Sequence, residues 1–176
     1  MSQLIREIIP VIIGILIALV INNWNEERKD KKYLSQILFS INEELEESKV
    51  DIKETIPRQK VLLDSIEVYL TDETVSLFNI VIKAKGIRFT TIKNNSWKAI
   101  ANSKIELVDY KKISVLSDIE QGKEILELQS EKIFDFLINN AEETSQGKKE
   151  IFRMIIKNII ALEEQLQLNI QELNKK

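Results

Sequence analysis

IIPVIIGILIALVI, residues 8–21, contains no polar side chain. An α-helix of this length spans about 21 Å, and Leu4 and Ile5 on one side with Trp24 on the other extend it to about 31 Å. That length matches the hydrocarbon core of a bilayer, which is about 30 Å thick. Aromatic residues such as Trp24 are enriched where a membrane helix meets water. The sequence therefore predicts a transmembrane anchor over residues 1–25.

The residues after this run distinguish a retained anchor from a cleaved signal peptide. A signal peptide ends at a small-x-small cleavage site, and residues 21–28, INNWNEER, contain none. The flanks predict orientation, because Lys and Arg near a membrane helix favour the cytoplasmic side. Arg6 precedes the run, whereas four basic residues follow it: Arg28, Lys29, Lys31 and Lys32. We expect a single-pass protein with its N-terminus outside and its C-terminal domain in the cytoplasm.

The composition excludes several kinds of catalytic site. The 176-residue chain has no Cys and no His, which excludes disulfides, thiol nucleophiles and metal sites built from thiolate or imidazole. It also has no glycine-rich phosphate loop and no recognisable pairing of a Ser or Thr with a base. We therefore predict that the protein is not an enzyme and binds neither a cofactor nor a metal. With four Gly and two Pro, an all-α fold is favoured over a turn-rich β fold.

The chain after residue 26 has apolar residues at helical spacing. Between Leu34 and Ile56 they recur at steps of three, four and seven, which predicts an amphipathic helix. No Gly or Pro separates this helix from the anchor, so we expect the two to be continuous. Pro57 is expected to end or kink it. Residues 26–176 are predicted to form a long-helix bundle with coiled-coil character.

The second half of the chain continues the helical pattern. Residues 75–82, VSLFNIVI, fit either a helix or a strand, and Gly86 indicates a turn. A long helix is expected from Tyr110 onward, although Gly122 interrupts its pattern. A last helix is predicted over residues 149–176. Its residues at coiled-coil spacing are Ile155, Ile159, Leu162, Leu166 and Leu173.

Clustered carboxylates lie between the apolar positions of these helices. They occur from Glu43 to Glu54 and again at Glu163 and Glu164. A di-iron bundle pairs Glu with His on inward faces, and this chain has no His. We expect both groups of acids to face water.

The stretch REIIPVIIGILIALVINNWNEERK, residues 6–29, resembles the start of a bacterial family of small membrane-anchored proteins of uncharacterised function, abundant in Bacteroidetes. Members open with an Arg–Glu pair, an apolar GILIAL run and an INNWNE exit into a charged helix. A second similarity covers residues 96–119, where the family has a short helix, a small-residue turn and a second helix. Many members carry a glycine at that turn, whereas this chain has Asn102-Ser103. The resemblance implies a bacterial inner-membrane protein with a helical domain and implies no activity.

The anchor contains two sets of candidate functional residues, one for self-association and one for a pore. Gly14 and Ala18 are four residues apart and share a helix face, which predicts close approach of two anchors and a homo-oligomer. Ionisable residues at the membrane edge either extend to the headgroups or line a bundle interior. In an oligomer, a pore would have these residues at its two ends: Arg6, Glu7, Asn22, Asn23 and Asn25.

A basic segment provides the candidate ligand site. No Asp or Glu occurs between Glu73 and Glu106. Cations mixed with aromatic rings are typical of sites for nucleotides and oligonucleotides, and cations also attract lipid headgroups. The alternative is that the lysines neutralise acidic helices while Phe89 and Trp97 lie in the core. The predicted site residues are Lys83, Lys85, Arg88, Lys93, Trp97, Lys98 and Lys104.

Two functions remain after these exclusions. The first is a self-associating, membrane-tethered sensing or interaction module, whose partners are a second copy, the bilayer, an anionic ligand and a protein of unknown kind. The second is an oligomeric pore-forming effector that conducts ions under ligand control, as in stress responses or anti-phage defence.

Overall fold

The computed structural model describes the backbone of residues 2–173 and the side chains of residues 8–173. No strand occurs within residues 2–173, so the predicted all-α fold class is confirmed. A 3-10 helix, Ile105–Leu107, precedes α4. The α-helices are α1 (Ser2–Val68), α2 (Leu77–Lys83), α3 (Asn95–Ala101), α4 (Tyr110–Asn139) and α5 (Gln146–Leu173).

The chain divides into two compact units, of which the first ends at Ser40 and the second begins at Ile41. In the described part of the chain, α1 is the one helix whose length and apolar composition allow it to cross a membrane. Its large apolar side chains from Ile8 to Ile21 are each between 46% and 67% exposed. Such exposure is expected of a helix surrounded by lipid tails.

The second unit has its core between α1, α4 and α5. Eight buried residues of α1 recur at alternate steps of four and three, and we call them the α1 seam: Ile41, Leu45, Ser48, Ile52, Thr55, Gln59, Leu62 and Ile66. Ile56 is also buried, beside the seam. A matching set forms the α5 seam: Lys149, Phe152, Ile156, Ile159, Glu163, Leu166, Ile170 and Leu173. This spacing places each seam on one side of its helix.

Contacts between α1 and α5 show that the two helices run in opposite directions. Lys60 lies 3.3 Å from Glu164, and Glu67, seven residues further along α1, lies 2.6 Å from Arg153 of α5. Residue numbers thus rise along one helix as they fall along the other.

Gly122 allows α4 and α5 to approach closely. A Cβ atom built on Gly122 would lie 2.6 Å from Cδ2 and 3.2 Å from Cγ of Leu166. Gly122 does not interrupt α4, which is helical from Tyr110 to Asn139. Gly122 therefore serves the close packing of α4 against α5 and does not form a turn.

The structure corrects the prediction at Pro57 and decides the secondary structure of residues 77–83. Of the two outcomes predicted for Pro57, the end of the helix is wrong, because α1 continues to Val68. Proline costs about 3 kcal/mol in a helix interior, and the α1 seam continues in phase on both sides of Pro57, so burial outweighs this cost. Residues 77–83, left open between helix and strand, form α2, whose N-cap Ser76 accepts a hydrogen bond from the backbone N–H of Asn79 at 3.3 Å.

Candidate anion-binding groove

The connecting segment, residues 84–94, joins α2 to α3 without regular secondary structure. It begins with a turn in which Lys85 has φ +65° and Gly86 has φ +97°. The N–H of Gly86 donates to the carbonyl of Val81 at 2.9 Å, which closes the C-terminus of α2. Glycine is favoured at this φ because it has no Cβ.

Acidic residues of α1 bind the backbone of this segment and of α3. Thr91 N–H donates to Asp51 at 2.7 Å, and Ser96 N–H donates to Glu44 at 3.1 Å. Lys93 N–H donates to the Ser48 hydroxyl at 2.9 Å. The prediction that the acids of α1 face only water is therefore wrong for Glu44 and Asp51.

The turn and α1 together line an open groove with a volume of about 700 Å³. Its cations come from two parts of the chain that are far apart in sequence, Arg58 on α1 and a group around the turn. Its walls are apolar or backbone at the remaining positions. The lining residues are Arg58, Val61, Lys83, Ala84, Lys85, Gly86, Ile87 and Arg88.

The cations of the groove differ in how their charge is balanced. Arg88 lies 2.8 Å from Asp51 and 3.7 Å from Glu54, so two carboxylates compensate it. Within residues 8–173, no carboxylate forms an ion pair with Arg58, Lys83 or Lys85. Lys83 lies 5.2 Å from the centre of the Tyr69 ring. The groove thus has three cations that form no ion pair with a carboxylate among the described residues, an arrangement that favours anions.

The remaining residues of the predicted site lie elsewhere. Lys93 binds Glu47, and this hydrogen bond raises the pKa of Lys93. Lys98 lies 3.8 Å from Glu120 of α4. Trp97 is 2% exposed and donates its indole N–H to the same carboxylate at 2.9 Å, so its ring is not accessible for stacking.

Phe89 and Lys104 complete this group of residues. Phe89 is half-buried and meets the edge of Phe134 with ring centres 5.3 Å apart. Lys104 is exposed beyond α3. The structure therefore brings Lys83, Lys85 and Arg88 together, and it places Trp97 in the core as the alternative interpretation expects.

The anchor residues singled out from the sequence all lie on α1. A Cβ built on Gly14 meets no atom within 4 Å, and Ala18 is exposed. Asn22 donates to Glu26 at 3.4 Å, and Asn23 and Asn25 are exposed. The side chains of Arg6 and Glu7 lie outside the described residues, and the homo-oligomer and the pore stay predictions.

Residues 7–80 match the family model DUF6090. It is described as a family of unknown function. The match includes the apolar run, the rest of α1 with Arg58, and part of α2; it ends before Lys83. It agrees with the resemblance to an uncharacterised family and assigns no activity. No curated protein and no solved structure is significantly similar to the chain.

Two residues near the groove were missed by sequence reasoning. Arg58 lies 25 or more residues before the basic segment, and no local pattern joins it to that segment. Glu163 was expected to face water, but it is 0% exposed. Its position could have been found from the spacing of Phe152, Ile156 and Ile159, which continues through residue 163 to Leu166.

Proposed function

We propose that this chain is a single-pass inner-membrane protein whose cytoplasmic helical bundle binds a nucleotide-sized anionic ligand in the groove. The observation that carries the proposal is the set of three cations, Arg58, Lys83 and Lys85, that have no acidic partner among the described residues. Unpaired cations around a concave surface raise the local concentration of anions. The apolar side chains of Val61 and Ile87 offer contact for a less polar part of the same ligand.

The size of the groove supports a small ligand. Ligand sites in proteins have volumes of about 300–1,000 Å³, and the groove has about 700 Å³. Because Trp97 lies in the core, recognition depends on charge and on the apolar wall rather than on aromatic stacking. The anchor would keep this binding module at the membrane, and Gly14 with Ala18 would allow two copies to associate.

Ligand binding is tested with the full chain in detergent micelles. Labelling with 15N-glycine gives four backbone amide signals, because the sequence has four glycines. Gly86 lies in the groove, whereas Gly14, Gly122 and Gly147 do not line it. Addition of ATP at low salt should shift the Gly86 signal progressively, and added salt should weaken the effect because it screens the charges.

The matched variants separate the groove from general charge. Arg58→Glu combined with Lys85→Glu should abolish the ATP-dependent shift of Gly86. Lys157→Glu, a change at an exposed cation of α5 outside the groove, should leave the shift intact. If neither ATP nor a short single-stranded oligonucleotide moves the Gly86 signal at low salt, the proposed function is wrong.

A further inference from the structure

The core of the second unit contains a carboxylate without a cationic partner. Glu163 lies in the middle of the α5 seam and is 0% exposed. The other charged residue of that seam, Lys149, donates to the backbone carbonyls of Tyr69 at 2.9 Å and Asp72 at 2.5 Å. Lys149 therefore has acceptors for its ammonium group, whereas Glu163 forms no ion pair within the described residues.

Glu163 holds the connecting segment against α1. Its Oε1 accepts the side-chain N–H of Gln59 at 3.1 Å and the backbone N–H of Thr90 at 3.1 Å. The same Gln59 nitrogen donates to the carbonyl of Arg88 at 3.0 Å. Gln59 thus binds residue 88 of the segment and Glu163 binds residue 90, and Gln59 and Glu163 are bonded to each other.

The second oxygen of Glu163 has no hydrogen-bond partner. On the neighbouring α1, Oε1 of Gln59 is also buried without a partner. An ionised carboxylate only accepts hydrogen bonds, whereas a carboxylic acid also donates one. A proton on Glu163 makes this buried carboxyl group a donor as well as an acceptor.

The charged groups around Glu163 do not stabilise its ionised form. Burial raises the pKa of Glu163, and the charge of Asp51 on α1 raises it further, against the opposing effect of the hydrogen bonds from Thr90 and Gln59. Arg88 of the connecting segment binds Asp51 and Glu54 instead.

Charged side chains of α4 and α5 near Glu163 interact with other residues. On α4, beside Thr90, Lys123 donates to Asn94 at 2.9 Å and lies 3.7 Å from Glu127, and Glu131 lines the same surface. On α5 itself, the exposed Glu164 pairs with Lys60.

We propose that Glu163 is a proton-sensitive switch for the groove: its protonated form holds residues 88–90 against α1, and its ionised form releases them. The reason is that an unpaired carboxylate in the core gains hydration when the segment covering it opens. Release of residues 88–90 displaces the wall formed by Gly86, Ile87 and Arg88, so anions bind more weakly. This regulation rests on the proposed function of the groove.

The direction of the pH effect on stability follows from the raised pKa. Between the ordinary value of 4.5 and the raised native value, the native state binds the proton more than the unfolded state does. The free energy of unfolding therefore decreases as pH rises through this interval. Glu163→Gln keeps the acceptor for Gln59 and Thr90, adds a donor and cannot ionise, so it should remove this pH dependence and raise the urea midpoint at neutral pH.

The switch is tested first without any ligand, on the 15N-glycine-labelled full chain in micelles. The Gly86 signal of the wild type should move between mildly acidic and neutral pH, and in Glu163→Gln it should stay at the wild-type acidic position. Glu164→Gln, a change at the exposed neighbour, should behave as the wild type. A Gly86 signal that titrates identically in the wild type and in Glu163→Gln would overturn the proposal.

Coupling to anion binding is measured with inorganic sulfate, whose charge is constant over this pH range. The wild type should bind sulfate several-fold more weakly at neutral than at mildly acidic pH, and Glu163→Gln should bind equally at both. Equal weakening in the two proteins contradicts the coupling. If no anion binds at either pH, the proposed function fails, whereas the ligand-free titration of Gly86 still decides whether Glu163 moves the segment.

Discussion

Gly122→Ala tests the close approach of α4 and α5. The new Cβ would lie 2.6 Å from Cδ2 of Leu166, about 0.8 Å less than the 3.4 Å at which ordinary contact begins. Leu166 is 1% exposed, so its side chain has little room to move away. Overpacking of this kind costs about 1–3 kcal/mol, and the better helix propensity of Ala returns about 1 kcal/mol. We expect a net loss of about 0–2 kcal/mol in the free energy of unfolding.

The matched control is Gly147→Ala near the start of α5. A Cβ at Gly147 meets no atom within 4 Å, so this variant should gain up to about 1 kcal/mol from helix propensity alone. Urea unfolding followed by helical circular dichroism should therefore separate the two variants by about 1–3 kcal/mol. Leu166→Ala in the Gly122→Ala background should cost less than in the wild type, because the clash disappears. Equal stability of the two Gly→Ala variants would refute the packing described for α4 and α5.

Three further predictions concern the anchor, the topology and the buried lysine. Gly14→Ile should weaken self-association in a membrane two-hybrid assay, because a large side chain prevents close approach; Leu16→Ile is the control, and an unchanged signal for Gly14→Ile would exclude this face. Reporters fused at Lys176 should be active only as cytoplasmic reporters, and a periplasmic phosphatase signal would contradict the orientation. Lys149→Met should lower the free energy of unfolding by about 1–3 kcal/mol, because it leaves two backbone carbonyls unpaired; Lys157→Met, at an exposed position, should change it little, and equal effects would contradict the role of Lys149.

The sequence predicted the helices well because their apolar periodicity is strong. The start of α4 at Tyr110 is confirmed. In the last helix, Ile159, Leu166 and Leu173 are buried as predicted, but Ile155 and Leu162 are only half-buried, because the seam runs through Ile156 and Glu163. A helix end at Pro57 follows from a local rule, but α1 continues to Val68, because burial of the α1 seam on both sides is a tertiary effect.

The candidate site could be predicted only in part, because its ion pairs depend on tertiary packing. Clustering in sequence identified Lys83, Lys85 and Arg88, which line the groove. The same clustering included Lys93 and Lys98, whose acidic partners are on α1 and α4. Which acid meets which base depends on how helices pack. Glu163 was assigned to water because its charge was given more weight than its position in the repeat.

The pairing of Gln59 with Glu163 also restricts how α1 and α5 align. Seams with regular repeats can slide by one heptad and still bury apolar residues. Sliding α5 along α1 by seven residues would place Glu163 opposite Ile52 or Ile66, away from its donors Gln59 and Thr90. A buried carboxylate without hydrogen bonds is strongly unfavourable. The polar contact thus selects one register of the bundle from several that hydrophobicity alone would allow.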